Sequence, residues 1–232
     1  MSEQKALKAY LLFEVVIFIA IKVAEFTLTR QYTKFIMYSA IVGNTVMALY
    51  LRRRYDKSDG PSNLVFAALM VNCVADVFLT LTGGPTMYIP GFAAFCTVEA
   101  LYAASLRPDT RNLVIRVLVF AASLVFAWSI RLLTLPNALG LLNLSLLGVN
   151  VVCAWIAYRR TPGDAARLFA WGLTSFIVGD ISVALEIMLP EGTTFQRVAT
   201  LAVWTFYVPA QVLIVLTYRA KLLPAKAANR AA

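Results

Sequence analysis

Histidine is absent from the 232 residues of this sequence. Its absence excludes catalysis by Ser-His-Asp or Cys-His groups, zinc binding by an HExxH motif and haem ligation by histidine. Cysteine is also scarce, and Cys73, Cys96 and Cys153 have no CxxC spacing and lie within apolar segments, so we interpret them as unreactive thiols. Any acid-base chemistry must come from carboxyl groups, and we expect no metal and no other cofactor.

Charged residues are few as well. They make up 14% of the chain, whereas hydrophobic residues make up 60% and the mean hydropathy is +0.74. Because soluble domains are about a quarter charged, this composition is typical of a polytopic membrane protein. The segments between the apolar blocks are too short to fold alone, so we predict a single integral membrane domain over residues 1–232. We attribute the net charge of +9 to membrane topology and expect no nucleic-acid partner.

Prolines and basic residues divide the chain into eight apolar segments, each about as long as the roughly 20 residues that cross a bilayer. We therefore predict an all-α fold, a bundle of about eight transmembrane helices. The predicted spans are 7–28, 34–51, 62–82, 87–106, 112–130, 136–158, 165–189 and 196–219. Most of the 21 Lys and Arg residues lie beside the two termini and the even-numbered loops, which predicts that both termini are cytoplasmic. In a bacterium the membrane would be the inner one.

Ionisable residues inside the spans are informative, because each is costly in hydrocarbon unless it is paired or faces a cavity. Asp76 in the third span and Asp180 in the seventh lie about 20 Å from the cytoplasmic ends of their spans, at nearly one level. Asn72 lies one turn from Asp76, and Asn143 and Asn150 share a face of the sixth span. We predict that these side chains line one polar cavity. For the asparagines, the alternative is hydrogen bonding that joins helices.

The first span carries a polar stripe. Glu14, Lys22 and Glu25 lie within an arc of about 80° on this helix. The stripe has two interpretations, and both are open. Lys22 pairs with Glu25, or the residues of the stripe take part in the site. No cation other than Lys22 is expected at the depth of the two aspartates. Glu99 is a further deep carboxyl, in the fourth span.

The two halves of the chain are similar around the aspartates. The sequence VAD ends at Asp76 and VGD ends at Asp180, and a tyrosine follows each after a turn, Tyr102 after 26 residues and Tyr207 after 27. Four spans in each half preserve the direction of insertion. We therefore expect two parallel repeats about an axis along the membrane normal.

Two carboxyl groups held together away from water do not both ionise readily, so the pair offers one acid and one base. This combination suits a reaction through an oxocarbenium-like state, in which one group protonates the substrate and the other stabilises positive charge or positions water. It also suits proton-coupled transport. The pair alone therefore does not choose between an enzyme and a carrier.

Short motifs surround these carboxyls. They are Ala75-Asp76, Gly91-Phe92-Ala93-Ala94-Phe95, Glu99, Leu101-Tyr102, Gly179-Asp180 and Tyr207 followed by Gln211. With these motifs the chain resembles the YhhN-like lysoplasmalogenase family of eight-span membrane proteins. The resemblance implies hydrolysis of the vinyl-ether bond of lysoplasmalogens to a fatty aldehyde and a glycerophospho-base.

The resemblance also implies roles for individual residues. Asp76 and Asp180 match the two deep aspartates of the family, as catalytic acid and base, and Tyr102, Tyr207 and Gln211 match its polar positions on the following helices. The chain departs from the family pattern at Ala75, where glycine is usual, and at Glu99, where histidine is usual. Glutamate can donate a proton but is never cationic, so any phosphate-binding part of that histidine would be missing.

We therefore predict a membrane-embedded hydrolase of ether lysophospholipids that uses carboxylate acid-base catalysis. The predicted substrate-binding residues are Glu99, Tyr102, Tyr207, Gln211, Asn72 and Asn143. The expected partners are a lysophospholipid or ether-lipid substrate and membrane lipids, and small residues such as Gly140 and Gly148 leave a homo-oligomer open. The alternative is a non-enzymatic lipid-binding protein, or a proton-coupled small-molecule carrier, on the same fold.

Overall fold

The computed structural model describes residues 2–28, 30–55, 60–82 and 85–231, and the secondary structure in these ranges is helical throughout. This confirms the predicted all-α bundle. The α-helices are α1 (Glu3–Thr27), α2 (Arg30–Arg54), α3 (Gly60–Asp76), α4 (Pro85–Ser105), α5 (Thr110–Ser129), α6 (Leu135–Arg160), α7 (Asp164–Met188) and α8 (Thr194–Ala231). A π-helix, Val77–Thr82, continues α3.

The helix bounds follow local signals in the sequence. Asp109 caps α5 by accepting a hydrogen bond from the backbone nitrogen of Asn112 at 2.8 Å, and Thr134 caps α6, with a proline in its first turn. The predicted bounds lie within about one turn of the observed ones, except at the end of α8. That helix was predicted to end at residue 219, but it continues to Ala231.

Seven helices of the described chain, α2 to α8, are long and apolar enough to cross a membrane. α1 has a sufficient length of 25 residues, but its apolar stretch contains Glu14, Lys22 and Glu25. The predicted crossing by α1 therefore stays a prediction. The side of the membrane on which the N-terminus lies depends on it.

The pattern of helix contacts follows the predicted repeat. α3 packs along α4, and α7 packs along α8. When the first four helices are matched in order with the last four, the contact of α2 with α3 corresponds to that of α6 with α7. The contact of α4 with α6 likewise corresponds to that of α8 with α2. Two contacts within the described chain have no counterpart. α1 contacts α8, whereas α5 contacts only α6, and α3 contacts α8, whereas α7 and α4 form no corresponding backbone contact.

Polar contacts hold α1 against the rest of the bundle. Near one end, the Glu3 carboxylate accepts hydrogen bonds from Arg219 Nε at 2.8 Å and from the Tyr55 hydroxyl at 2.6 Å. Towards the other end, Lys22 Nζ lies 2.9 Å from the Glu25 carboxylate and donates to the Leu201 carbonyl oxygen at 2.7 Å. The pairing of Lys22 with Glu25 is thus confirmed. Both ends of α1 are joined to α8.

The π-helix begins directly after Asp76. π-helical segments are rare and occur often at functional sites. Leu79 of this segment lies so close to Gly91 that a Cβ atom added to the glycine would overlap the leucine side chain. Gly91 therefore allows α4 to pack directly against the wide turn that follows Asp76.

The membrane topology can be tested with single cysteines in the connections. If all eight helices cross, Ser2→Cys and Thr161→Cys lie on the cytoplasmic side and Glu191→Cys lies on the opposite side. A maleimide that does not cross the cytoplasmic membrane should then label only Glu191→Cys in intact cells, with the wild type as background. Labelling of Ser2→Cys to the same extent as Glu191→Cys would show that α1 does not cross.

The contact between α1 and α2 depends on Gly43. A Cβ atom added there would lie 2.5 Å from the Phe13 ring and 2.6 Å from the Glu14 carboxyl. We expect Gly43→Val to destabilise the protein by about 1–3 kcal/mol through overpacking, measured as a lower thermal midpoint in detergent. Gly163→Val is the matched control, because no atom lies within 4 Å of the added Cβ at that glycine. Equal thermal midpoints for the two variants would contradict this account.

Candidate functional site

Asp76, the last residue of α3, receives hydrogen bonds from three side chains. The Tyr207 hydroxyl on α8 donates to Oδ2, the Asn72 amide donates to the same oxygen at 2.8 Å, and the Thr80 hydroxyl donates to Oδ1 at 3.5 Å. Asn72 also donates to the Tyr207 hydroxyl oxygen at 2.9 Å. Asp76 is 3% exposed, so these donors replace water around the carboxyl. The site thus joins α3, the π-helix and α8.

Asp180, in the second half of α7, has a simpler environment. The Asn143 amide of α6 donates to its Oδ2 at 2.7 Å. Unlike Asp76, this residue is only partly buried. Gly179 brings the backbone of α7 close to α8, since a Cβ atom there would lie 3.6 Å from the Val203 carbonyl oxygen. Because Asp180 is only partly buried, it is the more accessible of the two aspartates.

Glu99 is the third deep carboxyl, and it is fully buried on α4. The Asn150 amide of α6 donates to Oε2 at 2.7 Å and to the Glu99 backbone carbonyl oxygen at 2.9 Å, whereas Oε1 has no hydrogen-bond partner in the described part of the chain. We call Asp76, Asp180 and Glu99 the carboxyl cluster, because Asp180 interacts electrostatically with each of the other two.

The asparagines join helices and also contact the carboxyls. Asn72 connects α3 to α8, Asn143 connects α6 to α7, and Asn150 connects α6 to α4. Each donates a hydrogen bond to a carboxyl oxygen. Helix joining by the asparagines is therefore confirmed, and their part in substrate binding stays a prediction.

The other predicted site residues lie around the cluster. Tyr102 is buried on α4, with its ring edge-on to Phe169 at 5.6 Å between centroids. Although the repeat matches it with Tyr207, the hydrogen bond to Asp180 comes from Asn143 instead. Gln211 is buried one turn beyond Tyr207 on α8.

Aromatic packing that the sequence analysis missed supports Tyr207. The Phe176 ring lies between those of Phe95 and Tyr207, with centroid distances of 5.9 and 5.3 Å, and Trp204 packs edge-on against Tyr207 at 5.3 Å. Phe176 lies four residues before Asp180, so its position on the inner face was the available signal. This packing fixes the ring whose hydroxyl donates to Asp76.

Arg116 is a second residue that the sequence analysis missed. Its position near the start of the fifth span placed it with the loop cations, but it is 6% exposed. Its Nη1 donates to the Leu146 carbonyl oxygen of α6 at 3.2 Å. The expectation that Lys22 is the only deep cation was therefore wrong, because the long Arg116 side chain reaches inward from the end of the bundle.

Metal binding has no evident support in the described residues. No group of three Cys, Asp or Glu side chains there is placed to hold a metal ion. Acid-base chemistry at the cluster would rest on the carboxyls and on the hydroxyl and amide groups that surround them.

The sequence profile of the YhhN family matches residues 32–218. This range contains all three carboxyls of the cluster, their hydrogen-bond donors and Arg116, and it begins after α1. No curated protein and no solved structure matches the chain.

Tyr207→Phe tests the hydrogen bonding of Asp76. Removal of the hydroxyl takes one donor from a buried carboxyl, so we expect a loss of about 1–3 kcal/mol of stability. The thermal midpoint of the purified protein in detergent reports this loss. Tyr32→Phe is the matched control, because Tyr32 is 63% exposed. A Tyr207→Phe protein as stable as the control would show that the hydroxyl does not support Asp76.

Proposed function

The chain belongs to the YhhN family, and from this we propose that it is a membrane-embedded hydrolase of the vinyl-ether bond of lysoplasmalogens. The observation that carries the proposal is the pair of aspartates, which lie at one level of the bundle and interact electrostatically. A vinyl ether is cleaved by protonation of carbon followed by attack of water. One acid and one base are the groups that this reaction requires.

The two aspartates have different hydrogen-bond partners, which supports different roles. Three donors converge on Asp76, an arrangement that suits a carboxylate acting as an acceptor. Asp180 accepts from Asn143 through one oxygen and is partly exposed, so its other oxygen is available to carry a proton to a substrate. We therefore assign Asp180 as the acid and Asp76 as the base.

The proposed reaction consumes one water molecule. Asp180 transfers its proton to the outer carbon of the vinyl ether, and the resulting oxocarbenium ion is stabilised by the Asp76 carboxylate. Water then attacks the cationic carbon and gives a proton to Asp76, forming a hemiacetal. In the last step Asp76 protonates the leaving glycerol oxygen while Asp180 accepts the hydroxyl proton. The fatty aldehyde and the glycerophospho-base leave, and both aspartates return to their starting forms.

Hydrolysis is tested by aldehyde release from a 1-alkenyl lysophospholipid added to the detergent-purified protein. We expect aldehyde from this lipid and none from the matching 1-acyl lysophospholipid. Asp76→Asn and Asp180→Asn should each lower turnover by about 10²- to 10⁴-fold, because each removes one partner of the acid-base pair. Asp164→Asn is the matched control, since its side chain is 79% exposed at the start of α7.

Two results would overturn the proposal. One is wild-type turnover in folded Asp76→Asn and Asp180→Asn proteins. The other is the absence of aldehyde from folded wild-type protein at every pH tested. The second result, with lipid or proton uptake into proteoliposomes, would support the alternative of a lipid-binding protein or a proton-coupled carrier that uses the same carboxyls.

A further inference from the structure

Arg116 has an incomplete set of hydrogen bonds. Its Nη1 donates to the Leu146 carbonyl oxygen at 3.2 Å, whereas Nε and Nη2 are buried and have no hydrogen-bond partner among the residues that the structure describes. A guanidinium placed in a membrane interior costs several kcal/mol unless its donors are satisfied. The two free donors therefore indicate that a ligand completes the site.

The free donors are the ones that bind a phosphate best. Nε and Nη2 lie on one edge of the planar guanidinium and point their hydrogens in parallel, which matches two oxygens of a phosphate or carboxylate. The carbonyl of Leu146 holds the opposite side of the group through Nη1. Arg116 is thus fixed from α6, with its bidentate edge open.

The depth of Arg116 places this edge near the carboxyl cluster. Leu146 lies 14 residues before the end of α6 at Arg160, about 20 Å along the helix. Asp180 lies 16 residues after the start of α7 at Asp164, at the same end of the bundle, which is about 24 Å along that helix. The guanidinium and the Asp180 carboxyl therefore differ by only a few ångströms in depth, and Glu99 interacts electrostatically with both.

We propose that Arg116 binds the phosphate of the lysophospholipid headgroup while the vinyl ether reaches Asp180. This inference rests on the proposed function, because it names the group that holds the substrate of that reaction. In a lysophospholipid only the glycerol backbone separates the phosphate from the ether, which agrees with the small difference in depth between the Arg116 guanidinium and the Asp180 carboxyl. A phosphate carried to this depth needs a cation, and Lys22 is already paired with Glu25.

Glu99 sets a condition on this binding. An ionised Glu99 would repel a phosphate beside Arg116, so the occupied site requires Glu99 in its protonated form. A protonated Glu99 carboxyl can donate a hydrogen bond, whereas the carboxylate can only accept one. Arg116 thereby supplies the positive charge for the phosphate, which a glutamate at position 99 cannot supply.

Binding tests this inference without turnover. The two probes are a saturated 1-O-alkyl lysophosphatidylcholine, which has no vinyl ether to cleave, and the 1-O-alkylglycerol that lacks the phosphate. Their affinities for the purified full chain in detergent are measured by titration calorimetry. We expect Arg116→Gln to weaken binding of the phosphate-bearing probe by about 10- to 100-fold and to leave the alkylglycerol unchanged. Arg111→Gln, on the exposed surface of the same helix, should change neither affinity.

Arg116→Lys keeps the charge and loses the bidentate edge, so it should give an intermediate loss for the phosphate-bearing probe. It also provides the measurement if Arg116→Gln fails to fold, as judged by its thermal midpoint. Equal losses of affinity for both probes would show that Arg116 has a structural role. Unchanged affinity for the phosphate-bearing probe would show that Arg116 does not bind the phosphate. Either result overturns the inference. Arg116-dependent binding by a wild-type protein that releases no aldehyde would instead overturn only the proposed hydrolysis.

Discussion

A carboxyl group inside a membrane must find hydrogen-bond donors in the protein, and this constraint determines which helices meet in this bundle. The cost of an unsatisfied carboxyl at that depth is several kcal/mol. Asp76 accepts a hydrogen bond from α8, Asp180 accepts one from α6, and one oxygen of Glu99 accepts one from α6. The three carboxyls and their donors thus lie on five helices, α3, α4, α6, α7 and α8. The hydrogen bonds that join these helices are consequently the same ones that form the candidate site.

The internal repeat places two aspartates at matching positions, but it does not give them matching environments. Tyr207 donates to Asp76, whereas Asn143 takes the corresponding place beside Asp180. A pair with identical partners would consist of two similar carboxyls, with nothing to decide which carries the proton. In the proposed reaction, this difference between the two halves makes Asp180 the acid and Asp76 the base. The π-helix adds to the difference, because it supplies Thr80 to Asp76 alone.

Much of the fold could be predicted from the sequence, because the bilayer restricts spans to apolar helices whose rise per residue fixes the depth of each side chain. The grouping of Asp76 with Asp180 followed from that rise. The π-helix did not, because nothing in its composition separates it from an α-helix, and its geometry accompanies the packing of Leu79 against Gly91. Arg116 was missed for another reason: helix position gives the level of the backbone, not the reach of a long side chain.

The attachment of α1 to α8 has a consequence for how the chain is made. Two partners of α1, the Leu201 carbonyl near one end and Arg219 near the other, lie in α8 and are synthesised long after α1. During translation, α1 is therefore synthesised before these partners. Its charged residues are only partly paired until α8 is made. The bundle closes only when synthesis reaches α8. A chain that stops before α8 would leave Lys22 and Glu3 without these two partners.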